Sequence, residues 1–339
     1  ASREITVQQL TRDNRIARYR KLDTFSSMGS AMSPSGKYVG GFSEQVDENN
    51  MWYFTPIIID TETGEKHEFG PYPQSLYALS QANAITDQGL LFISDGQNGG
   101  QIAIDLTGNL FIPEAPAGFT GKPEIQGTSA DGKYWVGYGM KGKVGEEPAP
   151  CKALLWTDGV PTELPWPDLN YRNEEVWYGG MARGISANGE IIYGTSWENW
   201  DFGMVYWKDW QNGGQAEYVG KDVHVRKVEK ALDSQGLEYD YYCADGMICQ
   251  ANRTNISPSG KWIAGSYRTW TLAENRMDAV TSQVAAFYDV ETETTVIVDE
   301  YGKSTGTHVT DDGIGFIGLG SLGISSGRVY DCNTRTDLG

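Results

Sequence analysis

Asn255-Ile-Ser-Pro-Ser-Gly-Lys-Trp-Ile-Ala-Gly265 decides how this chain is read. A small hydroxyl residue meets a tight turn built on a glycine, and a short apolar run ending in a small residue follows. Glycine supplies the positive φ of the bend, and Ser, Asp or Asn just before it caps the turn. Five more copies lie along the chain: Ala31-Met-Ser-Pro-Ser-Gly-Lys-Tyr-Val-Gly40, Ala84-Ile-Thr-Asp-Gln-Gly-Leu-Leu-Phe-Ile93, Gly127-Thr-Ser-Ala-Asp-Gly-Lys-Tyr-Trp-Val-Gly137, Gly184-Ile-Ser-Ala-Asn-Gly-Glu-Ile-Ile-Tyr-Gly194 and His308-Val-Thr-Asp-Asp-Gly-Ile-Gly-Phe-Ile-Gly318. Their turn glycines, from Gly36 to Gly313, are spaced by 53, 43, 57, 71 and 53 residues. A strand-bearing unit of roughly 50 residues marks a propeller or a related repeat array.

Each unit continues in the same order. A variable loop leads to an apolar strand, as in Ile57-Ile-Ile-Asp60, Leu154-Leu-Trp-Thr157 and Ala286-Phe-Tyr-Asp289, and a polar turn follows at once. A fourth segment such as Lys66-His-Glu-Phe69 closes most units. Four strands joined by two short turns and one long loop describe a blade. The expectation is an all-β, six-bladed β-propeller of four-stranded antiparallel blades. The blades run approximately over 23–71, 72–116, 117–165, 166–222, 240–299 and 300–339. Ring closure near the termini would use Ile16-Ala-Arg-Tyr-Arg-Lys-Leu22, which removes an open sheet edge. The small residues before the turns (Ser33, Thr86, Ser129, Ser186, Ser257, Thr310) suit an innermost strand crowded about an axis. Six repeated hydroxyls point to packing and turn hydrogen bonds rather than catalysis.

Ser33-Pro-Ser-Gly-Lys-Tyr-Val39 and Ser257-Pro-Ser-Gly-Lys-Trp-Ile263 resemble the Ser-Pro-Asp-Gly-Lys repeat of TolB-type, WD-like propellers. Gly184-Ile-Ser-Ala-Asn-Gly189 with Tyr193-Gly-Thr-Ser196, and Ala153-Leu-Leu-Trp-Thr-Asp-Gly159, resemble the HAF repeats of bacterial extracellular proteins. The resemblance implies a blade fold and a secreted, cell-surface or periplasmic setting. It carries no catalytic residues to transfer.

The chain of 339 residues holds 42 glycines, 12% aromatics and a formal charge of −18. Such acidity repels phosphate backbones and anionic lipid, so nucleic acid and bare membrane are poor partners and no nucleic acid is expected. No apolar run is long enough for a transmembrane helix. The three histidines stand at no ligand spacing to a cysteine pair, so no metal and no cofactor are expected. The longest spacing holds an insertion, 223–253. Val225-Arg-Lys-Val-Glu-Lys-Ala-Leu232 has helix-forming residues and predicts a short surface helix. Cys243 and Cys249 then suggest a local disulfide loop, with two thiols as the alternative.

Aromatics and carboxylates gather in the second-to-third loops and the blade connections, which share one face. The candidate ligand-binding residues there are Trp52, Tyr53, Trp166, Tyr171, Trp177, Trp197, Trp200 and Trp270. Aromatic platforms beside polar groups hold glycans or peptides, so the expected role is a binding module for such a ligand. The alternative is a glycan-cleaving enzyme using two of Glu174, Glu198 and Asp201 as its carboxylates. Gly323-Ile-Ser-Ser-Gly327 fits a nucleophile elbow by letters alone, with too little chain after it for acid and base.

Overall fold

The computed structural model describes residues 5–6, 18–19, 31–142, 151–168, 179–196, 203–249, 256–320 and 326–339. They fold into antiparallel sheets that follow one another in chain order. The first sheet joins Ala31–Met32, Tyr38–Val46, Trp52–Asp60 and Lys66–Glu68, with Tyr72–Pro73 added beside the third of these. The second joins Leu79–Ile85, Leu91–Asp95, Gln101–Ile104 and Leu110–Phe111. The third joins Glu124–Thr128, Tyr134–Met140, Cys151–Thr157 and Val160–Glu163. The fourth joins Gly180–Ile185, Ile192–Ser196, Met204–Trp207 and Glu217–Tyr218. The fifth runs Val225–Leu232, Glu238–Cys249, Trp262–Leu272, Ala279–Asp289, Thr294–Val298. The sixth joins Ser304–Val309, Ile314–Leu319, Ser326–Asp331 and Thr336–Asp337.

Four expectations change. The described residues form seven sheets rather than six, because Ile5–Thr6 and Arg18–Tyr19 make a separate two-stranded ribbon. Arg18–Tyr19 pairs with Ile5–Thr6, and among the described residues no N-terminal strand joins the last sheet, so the expected closure is not seen there. Val225–Leu232 is a strand, not a helix: it pairs with Glu238–Gly246, skipping Asp245, and that ladder overrides weak helix propensity. Cys243 and Cys249 both lie on the strand Glu238–Cys249. Six positions of extended chain separate their Cα atoms by roughly 20 Å, at about 3.3 Å per residue. A disulfide spans at most about 7 Å, so no local bridge joins them.

Side chains between successive sheets interlock into five apolar clusters. Phe42, Phe54 and Ile58 of the first sheet meet Ile85, Leu91 and Ile93 of the second. Phe92 and Ala103 of the second meet Leu154 and Trp156 of the third. Leu155 of the third meets Val205 and Trp207 of the fourth. Tyr206 of the fourth meets Ile263 and Tyr288 of the fifth, and Phe287 of the fifth meets Ile317 and Tyr330 of the sixth. Each such side chain contributes about 1.5–3 kcal/mol on burial. Sheets that pack face to face in sequence about a common centre are the architecture of a β-propeller.

The turn motifs define that centre. All six turn glycines take left-handed φ, between 70° at Gly132 and 84° at Gly260. The hydroxyl ahead of each turn accepts the N–H of the residue that starts the returning strand: Tyr38 to Ser33, Leu90 to Thr86, Tyr134 to Ser129, Ile191 to Ser186, Trp262 to Ser257 and Ile314 to Thr310, at 3.0–3.1 Å. The repeated hydroxyls are thus occupied in closing the hairpins.

Neighbouring turns are also bonded to one another. Ser35 donates to Asp87, Gln88 to the Ala130 carbonyl, Ala130 to the Ala187 carbonyl, Ala187 to the Pro258 carbonyl, and Ser259 to Asp311. One belt of hydrogen bonds therefore runs through all six copies.

Candidate binding sites

Inside the belt lies a cavity of about 370 Å³. Its wall takes residues from every one of the six large sheets: Ala31–Pro34, Ala82–Ile85, Gln126–Thr128, Arg183–Ile185, Ile256–Pro258 and His308. These are the last residues of the inner strands and the first of their turns, so the cavity lies toward the turn end of the axis.

A shared irregularity sets its chemistry. The ladders of the second, third, fourth and sixth sheets each skip one inner-strand residue, between Ala82 and Ala84, Ile125 and Gly127, Ala182 and Gly184, and Gly306 and His308. The skipped residues are Asn83, Gln126, Arg183 and Thr307, each three positions before the turn hydroxyl. A β-bulge leaves one residue outside the ladder and re-aims its side chain. Three of the four line the cavity, and Thr307 lines a more open one against the face of the sixth sheet, with His308 on both.

Asn83 donates to Ser94 Oγ at 2.7 Å, and Gln126 reaches Glu124 Oε2 at 3.3 Å. Arg183 donates through Nε to Thr195 Oγ1 at 3.1 Å, with its guanidinium carbon 5.8 Å from the centre of the Tyr138 ring. The Tyr138 hydroxyl donates to Glu124 Oε2 at 2.7 Å. Burial first, and then that carboxylate, hold the Tyr138 hydroxyl well above the usual phenol range. Met32, Ile85, Ile185, Ile256 and Tyr193 supply apolar wall.

The opposite end of the sheets carries the second-to-third loops and the connections between sheets. Two hairpins extend there. In the first sheet Tyr38–Val46 and Trp52–Asp60 pair along their full length, and Asp47 closes the tip by accepting the N–H groups of Asn49 and Met51. In the fifth sheet, 225–249 and 262–289 form two hairpins whose tips are tied together by Arg276. Leu232 N–H donates to the Arg276 carbonyl at 2.8 Å, Arg276 Nε to the Lys230 carbonyl at 2.7 Å, and Nη2 to Glu238 Oε1 at 2.6 Å. Leu272 N–H donates across to Glu229 Oε2 at 2.8 Å. Val46, Met51 and Trp52 are exposed on the first arm, and Val228, Leu237, Tyr239, Met277 and Val280 on the second.

Of the aromatics expected to bind ligand, Trp52 is 44% exposed, and the Tyr53 hydroxyl lies 3.4 Å from Asp47 Oδ2. Trp270 stands half-buried on the second arm, opposite Thr281. Trp166 turns inward: its ring meets that of Trp207 edge-on at 5.6 Å, it packs on the core between the third and fourth sheets, and its Nε1 is buried. Tyr171, Trp177, Trp197 and Trp200, with the carboxylates Glu174, Glu198 and Asp201, lie outside the described residues. No ring contact joins Trp52, Tyr53 and Trp270 among the described residues. The axial residues Asn83, Gln126 and Arg183 were not among the sequence candidates. Their signal is a polar side chain at one fixed offset from the turn in three consecutive copies.

No family model and no curated protein matches this chain. Among solved structures it is similar to the hydrazine synthase of Kuenenia stuttgartiensis, at 13% identity over 92% of this chain and 78% of that one, with a TM-score of 0.45. It is similar to the β-propeller domain of the trilobed protease of Pyrococcus furiosus, at 12% identity over 91% and 82%, with a TM-score of 0.43. A third likeness, to dipeptidyl peptidase 4 of Porphyromonas gingivalis, has 10% identity over 99% of this chain and 58% of that one, with a TM-score of 0.40.

Proposed function

We infer that this chain is a six-bladed propeller acting as a binding module, whose loop-bearing face receives a peptide or protein partner. One observation carries the reading: exposed apolar side chains concentrate on two hairpin arms that project from that face. Exposed apolar clusters with polar surroundings mark interaction surfaces. Most of these residues are aliphatic, namely Val46, Met51, Val228, Leu237, Met277 and Val280. Sugars favour flat rings beside polar groups, whereas aliphatic side chains favour a peptide, so the peptide class is preferred over glycan.

The blade number is supported by one turn motif per large sheet, and closure by the first and sixth sheets sharing the axial cavity through Ala31–Pro34 and His308. An exported bacterial setting belongs to the same proposal and is supported by the repeat resemblance.

Selection from a displayed random-peptide library tests the reading, run on the wild type and on a Leu237→Asp, Met277→Asp, Val280→Asp variant, beside a glycan array. The expected outcome is peptide enrichment that the variant loses. Glycan binding without peptide enrichment would overturn the ligand class, and equal enrichment on both proteins would overturn the face.

A further inference from the structure

The axial cavity is independent of the arms, and its charge is opposite to that of the molecule. The chain carries 45 acidic residues and a net charge of −18, yet among the described residues no Asp or Glu lines this cavity. Among the described residues its basic wall groups are Arg183 and His308, beside the phenol of Tyr193. Arg183 is engaged through Nε and through the face of Tyr138, and it forms no ion pair among the described residues, which leaves its Nη donors without a protein acceptor there. The nearby carboxylate, Glu124, is turned to the Tyr138 hydroxyl and the Gln126 amide instead. The bulge at Arg183 takes this residue out of the ladder, so the arginine is displayed to the cavity rather than placed by strand alternation. A guanidinium fork matches a carboxylate with two parallel hydrogen bonds.

We propose that the axial cavity is a binding site for a monocarboxylate with a compact apolar body, its carboxylate paired with Arg183 and its body set against Ile85, Ile185 and Ile256. The cavity volume of about 370 Å³ falls at the lower end of the roughly 300–1,000 Å³ of small-molecule sites. Among the described residues, one arginine without a lysine beside it matches a single negative charge rather than a phosphate dianion. A free short-chain acid and a peptide C-terminus present the same chemistry.

Calorimetry with hexanoate, leucyl-leucine, leucyl-leucine amide and hexanol separates these cases, with the ring protons of His308 followed by NMR and assigned with His308→Asn. The chain has three histidines, so the signals resolve, and His67 on the outer strand of the first sheet serves as control. At least one of the two carboxylates should bind and shift His308 but not His67, while the amide and the alcohol bind about tenfold or more weakly. Hexanoate alone would identify a free acid as the source, and leucyl-leucine alone a peptide terminus.

Arg183→Gln should weaken binding by about tenfold or more, and Arg183→Lys by less, because a point charge keeps attraction but loses the fork. The proposal is overturned if neither carboxylate shifts His308 at millimolar concentration, if the amide or hexanol binds equally well, or if folded Arg183→Gln binds like wild type. Should Arg183→Gln fail to fold, the wild-type contrast between carboxylate and amide decides alone.

Discussion

Ser259 donates both its backbone N–H, at 2.8 Å, and its hydroxyl, at 2.7 Å, to one carboxylate oxygen of Asp311, 52 residues further on. Ser35 and Asp87 repeat the arrangement at 3.0 and 2.7 Å across the same number of residues. Each pair couples a turn to the next turn around the axis, so the repeat is tied at its rim as well as through its core. Burial raises the pKa of Asp311, but the bonds from Ser259, with a smaller one from Ser257, outweigh it and leave the pKa below the ordinary aspartate value.

Asp311→Asn should lower stability at neutral pH by about 1 kcal/mol, the scale of a partly exposed hydrogen bond to a charged group. Because the folded pKa is depressed, this contribution is present above the unfolded value of about 3.9 and is lost as pH falls through the folded one. Urea unfolding of both proteins from pH 7 downward should show the difference closing only below about pH 4. A gap that persists at lower pH would contradict the assignment.

Trp207 is fully buried between the third and fourth sheets, and its Nε1 donates to the Pro165 carbonyl at 2.6 Å. Trp207→Ala should cost about 3–5 kcal/mol through lost burial and the cavity left behind. Trp207→Phe keeps most of the volume but removes the donor, and should cost less. Denaturant midpoints at constant slope check both values.

Arg276 joins two exposed hairpin tips, and its ion pair with Glu238 lies on the surface. Arg276→Ala should leave global stability within about 0.5 kcal/mol. Its effect should appear locally, as faster amide exchange at Leu232 and Leu272, whose N–H groups bond across this junction. Unchanged exchange at both amides would show that the tips hold together without it.

Burial pushes the thiols of Cys151 and Cys332 up to about 12. Only the thiolate reacts with alkylating reagents. Both should therefore resist iodoacetamide at neutral pH in the native protein and react on unfolding, as mass mapping of labelled peptides would reveal.

Much of this architecture was legible because it is encoded locally. A turn glycine at positive φ, a hydroxyl that caps its own hairpin and an apolar third strand each depend on a few adjacent residues. Val225–Leu232 was misread because its Lys, Glu, Ala and Leu residues suit a helix, and its strand conformation comes from the partner Glu238–Gly246. The direction of Trp166 was equally hidden. It follows from Trp207 across the sheet interface and from Gly180, where a Cβ would run into the Trp166 ring. Asn83, Gln126 and Arg183 were visible as polar residues at one offset, but their facing the axis depends on where the inner strand of each of these sheets carries an extra residue.

A side chain inside a ladder takes its direction from strand alternation, whereas Asn83, Gln126 and Arg183 stand outside the pairing and are held by bonds to Ser94, Glu124 and Thr195. The proposed specificity of the lumen thus rests on side chains that an extra backbone residue, rather than strand alternation, turns toward it.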